Sequence, residues 1–243
     1  MADIKDSIFL KNLRGEPCDR TPIWVMRQAG RYLPEYQEVR KLYSFNELCR
    51  TPEAACEVTL QPIRRFGFDA AIMFSDILTP LEGMGAMFDF SQGGPKLEKP
   101  VRTEAEIDAL HTYEPREGTD FVAAAIKLMK EGLGDKTPLI GFAGSPFTLS
   151  TYLIEGGGSK NYQHLKTMLY SRPDLLDRLM GKLTDQTLAY LRMQADAGVD
   201  AIQLFDTWGG ILHPADYQRV VLPCVKKIMD GLKDKGLPRI YFL

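Results

Sequence analysis

The sequence predicts an α/β domain built on a parallel sheet, and three observations carry that reading. Short apolar runs at 22–26, 70–74, 139–142, 201–205 and 239–243 have the length of buried strands. Stretches with helical patterning separate them, as the crossovers of a parallel sheet require. The runs are continuous rather than alternating, which is what strands covered on both faces need.

The elements follow in order. Residues 7–13 form a short helix ended by Gly15. The first strand, 22–26, runs into an arginine-bearing loop. Pro34–Leu42 is helical, and Ser44-Phe45-Asn46-Glu47 is a capping box that opens another short helix. Pro52 takes the favoured first position of a helix that runs toward Phe66 and stops at Gly67. Pro62 inside it predicts a kink or a break. The second strand, 70–74, is followed directly by Ser75 and Asp76. A glycine-rich excursion over 83–100 reads as an irregular loop or a small hairpin. Thr103 caps a helix to Leu110, and 119–132 is a second, alanine-rich one. The third strand, 139–142, leads through Gly144-Ser145-Pro146 into a helix that reaches Glu155 and ends at Gly156-Gly157-Gly158. Helices over 162–170 and 173–197 precede the fourth strand, 201–205. A helix over 214–235 precedes the fifth, 239–243. One domain spans 1–243. An open doubly wound sheet and a (β/α)₈ barrel both fit, and both place ligands at the carboxyl ends of the strands.

Composition narrows the function. Net charge is -2, so there is no basic excess of the kind nucleic acid demands. No apolar run is long enough for a membrane span. The polar, acid-bearing first residues do not read as a signal or transit peptide, and a cytoplasmic protein is expected. Cys18, Cys49, Cys56 and Cys224 lack Cys-x-x-Cys spacing and read as reduced thiols, with Cys49 and Cys56 packing as small apolar residues. His111, His164 and His213 are scattered, so no zinc site is expected.

Chemistry-bearing residues gather where strands end: Arg27, Asp76, Ser145, and Asp206 with Thr207. Arg27 and Arg31 flank Gly30, and Arg40 follows nine residues on. Arginine holds carboxylates well because it is always charged and donates two parallel hydrogen bonds. Surface ion pairing is the plain alternative. Asp76 should feel desolvation, which nearby arginines oppose; capping its own turn is the alternative. Tyr152 fits either a core or a ligand contact. Asp206 and Thr207 fit either a turn-stabilising pair or a site. Gly156-Gly157-Gly158-Ser159-Lys160 lacks phosphate-loop spacing and reads as a helix stop.

These residues resemble the uroporphyrinogen decarboxylase family. The likeness rests on Met26-Arg27-Gln28-Ala29-Gly30-Arg31-Tyr32-Leu33-Pro34-Glu35, on Thr59-Leu60-Gln61-Pro62 and on residues 69–78. It continues through residues 138–149, Tyr152-Leu153-Ile154-Glu155-Gly156-Gly157-Gly158 and Phe205-Asp206-Thr207-Trp208-Gly209-Gly210. The resemblance implies a (β/α)₈ TIM barrel, of which these residues supply five or so β/α units. It implies a homodimer, no metal and no organic cofactor. It also implies decarboxylation of the four acetate arms of uroporphyrinogen III to give coproporphyrinogen III. By position, Asp76, Arg27 and Arg31 would act in catalysis. Arg27, Gln28, Ala29, Gly30, Arg31, Arg40, Asp76, Tyr152 and Thr207 would bind the substrate. Thr207 stands where some members have serine. The family pattern also extends past Leu243 by three strands, with a cleft histidine on the last. Two other readings stay open: a cobalamin- or coenzyme M-linked methyltransferase of the same superfamily, and a shortened, non-catalytic tetrapyrrole-binding relative.

Overall fold

The computed structural model of the protein describes residues 3–90 and 93–243. A one-turn helix over Ile4–Asp6 precedes α1 (Ile8–Leu13), α2 (Pro34–Leu42), α3 (Phe45–Arg50) and α4 (Pro52–Phe66). Then come β1 (Ala71–Ile72), α5 (Thr79–Gly83), β2 (Phe88–Asp89) and β3 (Lys96–Leu97). Helices α6 (Glu104–Ala109), α7 (Pro115–Gly118) and α8 (Asp120–Leu133) lead to β4 (Leu139–Gly144). Helices α9 (Pro146–Glu155), α10 (Gln163–Ser171) and α11 (Pro173–Ala197) lead to β5 (Ala201–Phe205). Helices α12 (Pro214–Asp216) and α13 (Leu222–Gly231) precede β6 (Arg239–Phe242).

The main sheet runs β1-β4-β5-β6, every pair parallel. Register sets Phe142 opposite Gln203 and Phe205 opposite Phe242. On that face the rings of Phe142, Phe205 and Phe242 form an edge-to-face row, at 5.5 and 5.8 Å between centroids. Helices cover the other face. Helix α11 buries a long apolar stripe that includes Leu176, Leu179, Leu183 and Leu191. Its Gln194 side chain donates to the Phe142 carbonyl at 2.8 Å, tying that helix to β4.

Both predicted capping boxes form, at Ser44 with Glu47 and at Thr103 with Glu106. The excursion over 83–100 contains the β2–β3 antiparallel hairpin; Ser91 and Gln92, which fall in it, lie outside the described residues. The glycine run ends α9 as expected and does something more. Lys96 bridges to Gly157, and Leu97 donates to the Gly156 carbonyl at 2.9 Å. A Cβ on Gly157 would stand 2.6 Å from the Pro95 carbonyl oxygen, so the hairpin docks where only glycine leaves room.

Four expectations need correction. Residues 22–26 do not form a ladder strand. They make two bonds to Asp69: its amide donates to the Ile23 carbonyl at 2.9 Å, and its carboxylate accepts from the Ile23 amide at 2.7 Å. Ile23 and Val25 face solvent, so the apolar run is not buried. Arg27 therefore stands in a loop and not at a strand end. The second strand keeps only Ala71 and Ile72. Pro62 does not break α4, which is continuous from Pro52 to Phe66. Burial of Val58, Thr59, Leu60 and Gln61 around it outweighs the one backbone bond that proline forfeits. The helix over 214–235 is divided into α12, a π turn over Tyr217–Val221, α13 and a 3₁₀ turn over Lys233–Lys235. Pro223 has no N–H to donate, and the wider turn lies just before it.

Candidate active site

A small core separate from the main one positions the arginine loop. Leu33, Tyr36, Leu48, Ala54 and Val58 pack together, with Ala29 and Phe74 against them. The rings of Tyr36 and Phe74 lie 5.8 Å apart. Phe74 is two residues from Asp76, so one packing unit holds both the exit of the arginine loop and the exit of β1. Gln28 is buried, and its side-chain oxygen accepts the Val25 amide at 3.0 Å while its carbonyl accepts the Tyr32 hydroxyl. Gln28 thus braces the loop from inside. Ala29 and Gly30 form its bend, closed by Leu33 N–H to the Gly30 carbonyl at 3.0 Å.

Asp76 follows β1 in a short turn. Its carboxylate accepts the Leu78 amide at 2.8 Å, so the local turn-capping role is present. It is also recessed. Burial pushes its pKa up to about 6; the Leu78 amide and the Arg27 guanidinium pull it down, and Glu82 pushes it up. The acid is therefore mostly ionised at pH 7 and is neutralised by mild acid. Beside it lies a pocket of about 10 Å³, the room of one water, lined among others by Cys49, Arg50, Thr79 and Glu82.

Tyr152, on the last turns of α9, is half-buried. Burial raises the pKa of its hydroxyl, and the side chain of Trp208 lowers it. Asp76 and Arg27 both act on the same hydroxyl. Arg27, Asp76 and Tyr152, from three distant stretches of chain, therefore share one electrostatic neighbourhood. Arg31 and Arg40 act on the Tyr36 hydroxyl from the adjoining side. Arg40 lies over the Phe45 ring at 5.9 Å, and its buried Nε has no partner among the described residues. Arg27, Arg31 and Thr207 are solvent-exposed. The structure thus sets Arg27 near a recessed acid and Arg31 and Arg40 near the adjoining Tyr36.

Asp206, for which the sequence left a turn-stabilising role and a site role both open, is fully buried. It accepts the Thr148 hydroxyl at 2.9 Å and the Tyr241 hydroxyl at 2.6 Å. The only signal in the sequence was its place at a strand end, since its partners lie 58 and 35 residues away. No three His, Cys, Asp or Glu side chains cluster as a metal ion would require among the described residues. Among the described residues no helix is long and apolar enough to cross a membrane.

Known proteins match this chain over nearly its whole length. A family model described as uroporphyrinogen decarboxylase (URO-D) matches residues 5–243. The uroporphyrinogen decarboxylase of Syntrophotalea carbinolica is 50% identical over 239 residues, which cover 98% of this chain and 69% of that protein. That of Trichlorobacter lovleyi is 52% identical and covers 97% and 69%. That of Myxococcus xanthus is 50% identical and covers 96% and 67%. The chain therefore spans about two thirds of the length of these relatives. Among solved structures, a methyltransferase from Methanosarcina mazei superposes with a TM-score of 0.77 at 18% identity, covering 99% of this chain and 69% of that one. This likeness shows the fold alone, and the parallel sheet with outer helices is that of part of a TIM-type barrel.

Proposed function

The chain belongs to the uroporphyrinogen decarboxylase family, and we propose that it removes the carboxyl groups of the four acetate arms of uroporphyrinogen III to give coproporphyrinogen III. The observation that carries this reading is the recessed Asp76 carboxylate acting, with Arg27, on Tyr152.

The chemistry sets two demands. When the bond between the arm and its carboxyl breaks, carbon dioxide leaves and an electron pair stays behind. A pyrrole protonated at the ring carbon next to the arm accepts that pair. The exocyclic carbon then takes a proton and becomes a methyl, and the ring carbon gives up the proton it had gained, which restores the pyrrole. The protein must steady the cationic ring and hold the reacting carboxylate in line. Asp76 answers the first demand: its oxygens accept inward-pointing pyrrole N–H groups, and its charge faces the cation. Arg27, Arg31 and Arg40 answer the second by pairing with substrate carboxylates. Tyr152 and Thr207 add hydroxyl contacts, while Gln28, Ala29 and Gly30 shape the loop that presents the arginines. The homodimer and the cytoplasmic setting implied by the resemblance belong to this proposal. Sedimentation of the purified protein tests the dimer.

The reaction itself is tested by anaerobic incubation with uroporphyrinogen III, oxidation of the products and chromatography by carboxyl number. Partly decarboxylated intermediates and coproporphyrinogen III support the reading. Substrate recovered unchanged overturns it.

A further inference from the structure

Resting on the functional reading above, we propose that Asp206 is a positioning residue: through Thr148 it fixes the turn that carries Thr207 and sets Trp208 beside Tyr152.

The turn is held from within. The Asp206 amide donates to the Phe242 carbonyl at 2.7 Å, and its own carbonyl accepts the Gly209 amide at 2.9 Å. One carboxylate oxygen takes the Thr148 hydroxyl proton at 2.9 Å. The same Thr148 oxygen accepts the Trp208 amide at 3.2 Å. Thr148 therefore relays Asp206 to the backbone of the residue after Thr207. The other carboxylate oxygen takes the Tyr241 hydroxyl at 2.6 Å, and that hydroxyl meets the Tyr217 hydroxyl at 2.9 Å. The side chain is fully buried, its carboxylate accepts the Thr148 and Tyr241 hydroxyls, and no cation pairs with it among the described residues. Burying a carboxyl without a cation is costly, and the hydroxyl donors offset part of that cost.

One further contact meets Trp208. Its ring lies 5.6 Å from that of Tyr162, at a 50° angle. Tyr162 holds φ of +51°, and among the described residues no other non-glycine residue has a positive φ. Its backbone amide donates to the Ser159 hydroxyl at 3.0 Å, which pins that strained position. Gly209 closes the arrangement, because a Cβ there would come within 2.9 Å of an Asp206 carboxylate oxygen. The result is a Trp208 held at its backbone by Thr148 and packed against the Tyr162 ring, close to the Tyr152 hydroxyl. Thr207 is carried between Asp206 and Trp208, so its place is set by the same bonds.

The test compares Thr148→Val, which removes the relaying hydroxyl at nearly constant volume, with Thr148→Ser, which keeps it. Two readouts are taken: kcat and KM with uroporphyrinogen III, and Trp208 emission in a Trp24→Phe background, where it is the sole indole. With valine, kcat is expected to fall between about tenfold and about a hundredfold with KM less affected, and Trp208 emission to shift. Serine should restore both. Valine that leaves kcat and emission as in the parent overturns the proposal, as does a kcat loss with unmoved emission. If Thr148→Val does not fold, Tyr241→Phe removes the bond at the other oxygen, and the same pair of outcomes decides. If the unaltered chain shows no turnover, the functional reading fails, and the emission comparison alone decides the positioning role.

Discussion

Thr59 holds Phe74 by its backbone: the Thr59 hydroxyl oxygen accepts the Phe74 amide at 3.0 Å while its proton goes to the Ala55 carbonyl at 2.7 Å. One buried hydroxyl on α4 thereby fixes the chain two residues before Asp76. Thr59→Val keeps the shape and leaves the Phe74 amide unpaired. A loss of about 1–3 kcal/mol is expected in denaturant unfolding. Thr59→Ser should retain most of that stability.

Substitution of Arg27 should weaken binding of a substrate that carries many carboxylates. For Arg27→Ala, Kd is expected to rise and the binding that remains to become more sensitive to salt, because Arg31 and Arg40 are left to act at longer range. Titration at several ionic strengths checks this. Arg40→Ala should also relax Tyr36, since the guanidinium acts on its hydroxyl and lies over Phe45.

Stability should depend on pH through Asp76. Its pKa is about 6 in the folded protein and about 3.9 in an unfolded chain. Between those values the folded state binds more protons, so this group's contribution to stability is full below about pH 4 and is lost as pH rises to about 6. Asp206, also raised by burial, adds a slope of the same sign. The difference between the parent and Asp76→Asn isolates the first contribution. The parent should lose stability relative to the variant across that window, and parallel curves would show that Asp76 is not desolvated.

Much of this arrangement was legible in the chain, and the exceptions share a cause. The strands at 139–142 and 201–205 were readable because burial on both faces demands an unbroken apolar run. The run at 22–26 is also apolar and forms no ladder, because strand formation depends on paired neighbours, and its backbone bonds go to Asp69 and to the Gln28 side chain rather than to a strand. The arginines and Asp76 were singled out in the sequence because they sit beside a strand end or a bend. The strand-end pattern and the family resemblance expected them to share one site, whereas the packing of Tyr36 against Phe74 across 38 residues that helps hold them was not legible. The partners of Asp206 were not legible for the same reason: its hydroxyl donors come from α9 and β6. The glycines at 156 and 157 read correctly as a helix stop, but the hairpin that docks on them has no local signature.

The most direct measurement is turnover of uroporphyrinogen III by the parent and by Asp76→Asn, followed from pH 5 to pH 8 with substrate binding measured alongside. In the parent, activity should fall as pH drops through about 6, where the carboxylate takes up a proton. In the variant, kcat should drop by about 10²–10³ at neutral pH with binding partly kept. A variant that decarboxylates at close to the parent rate would contradict the assignment of Asp76 as the anion that steadies the cationic ring.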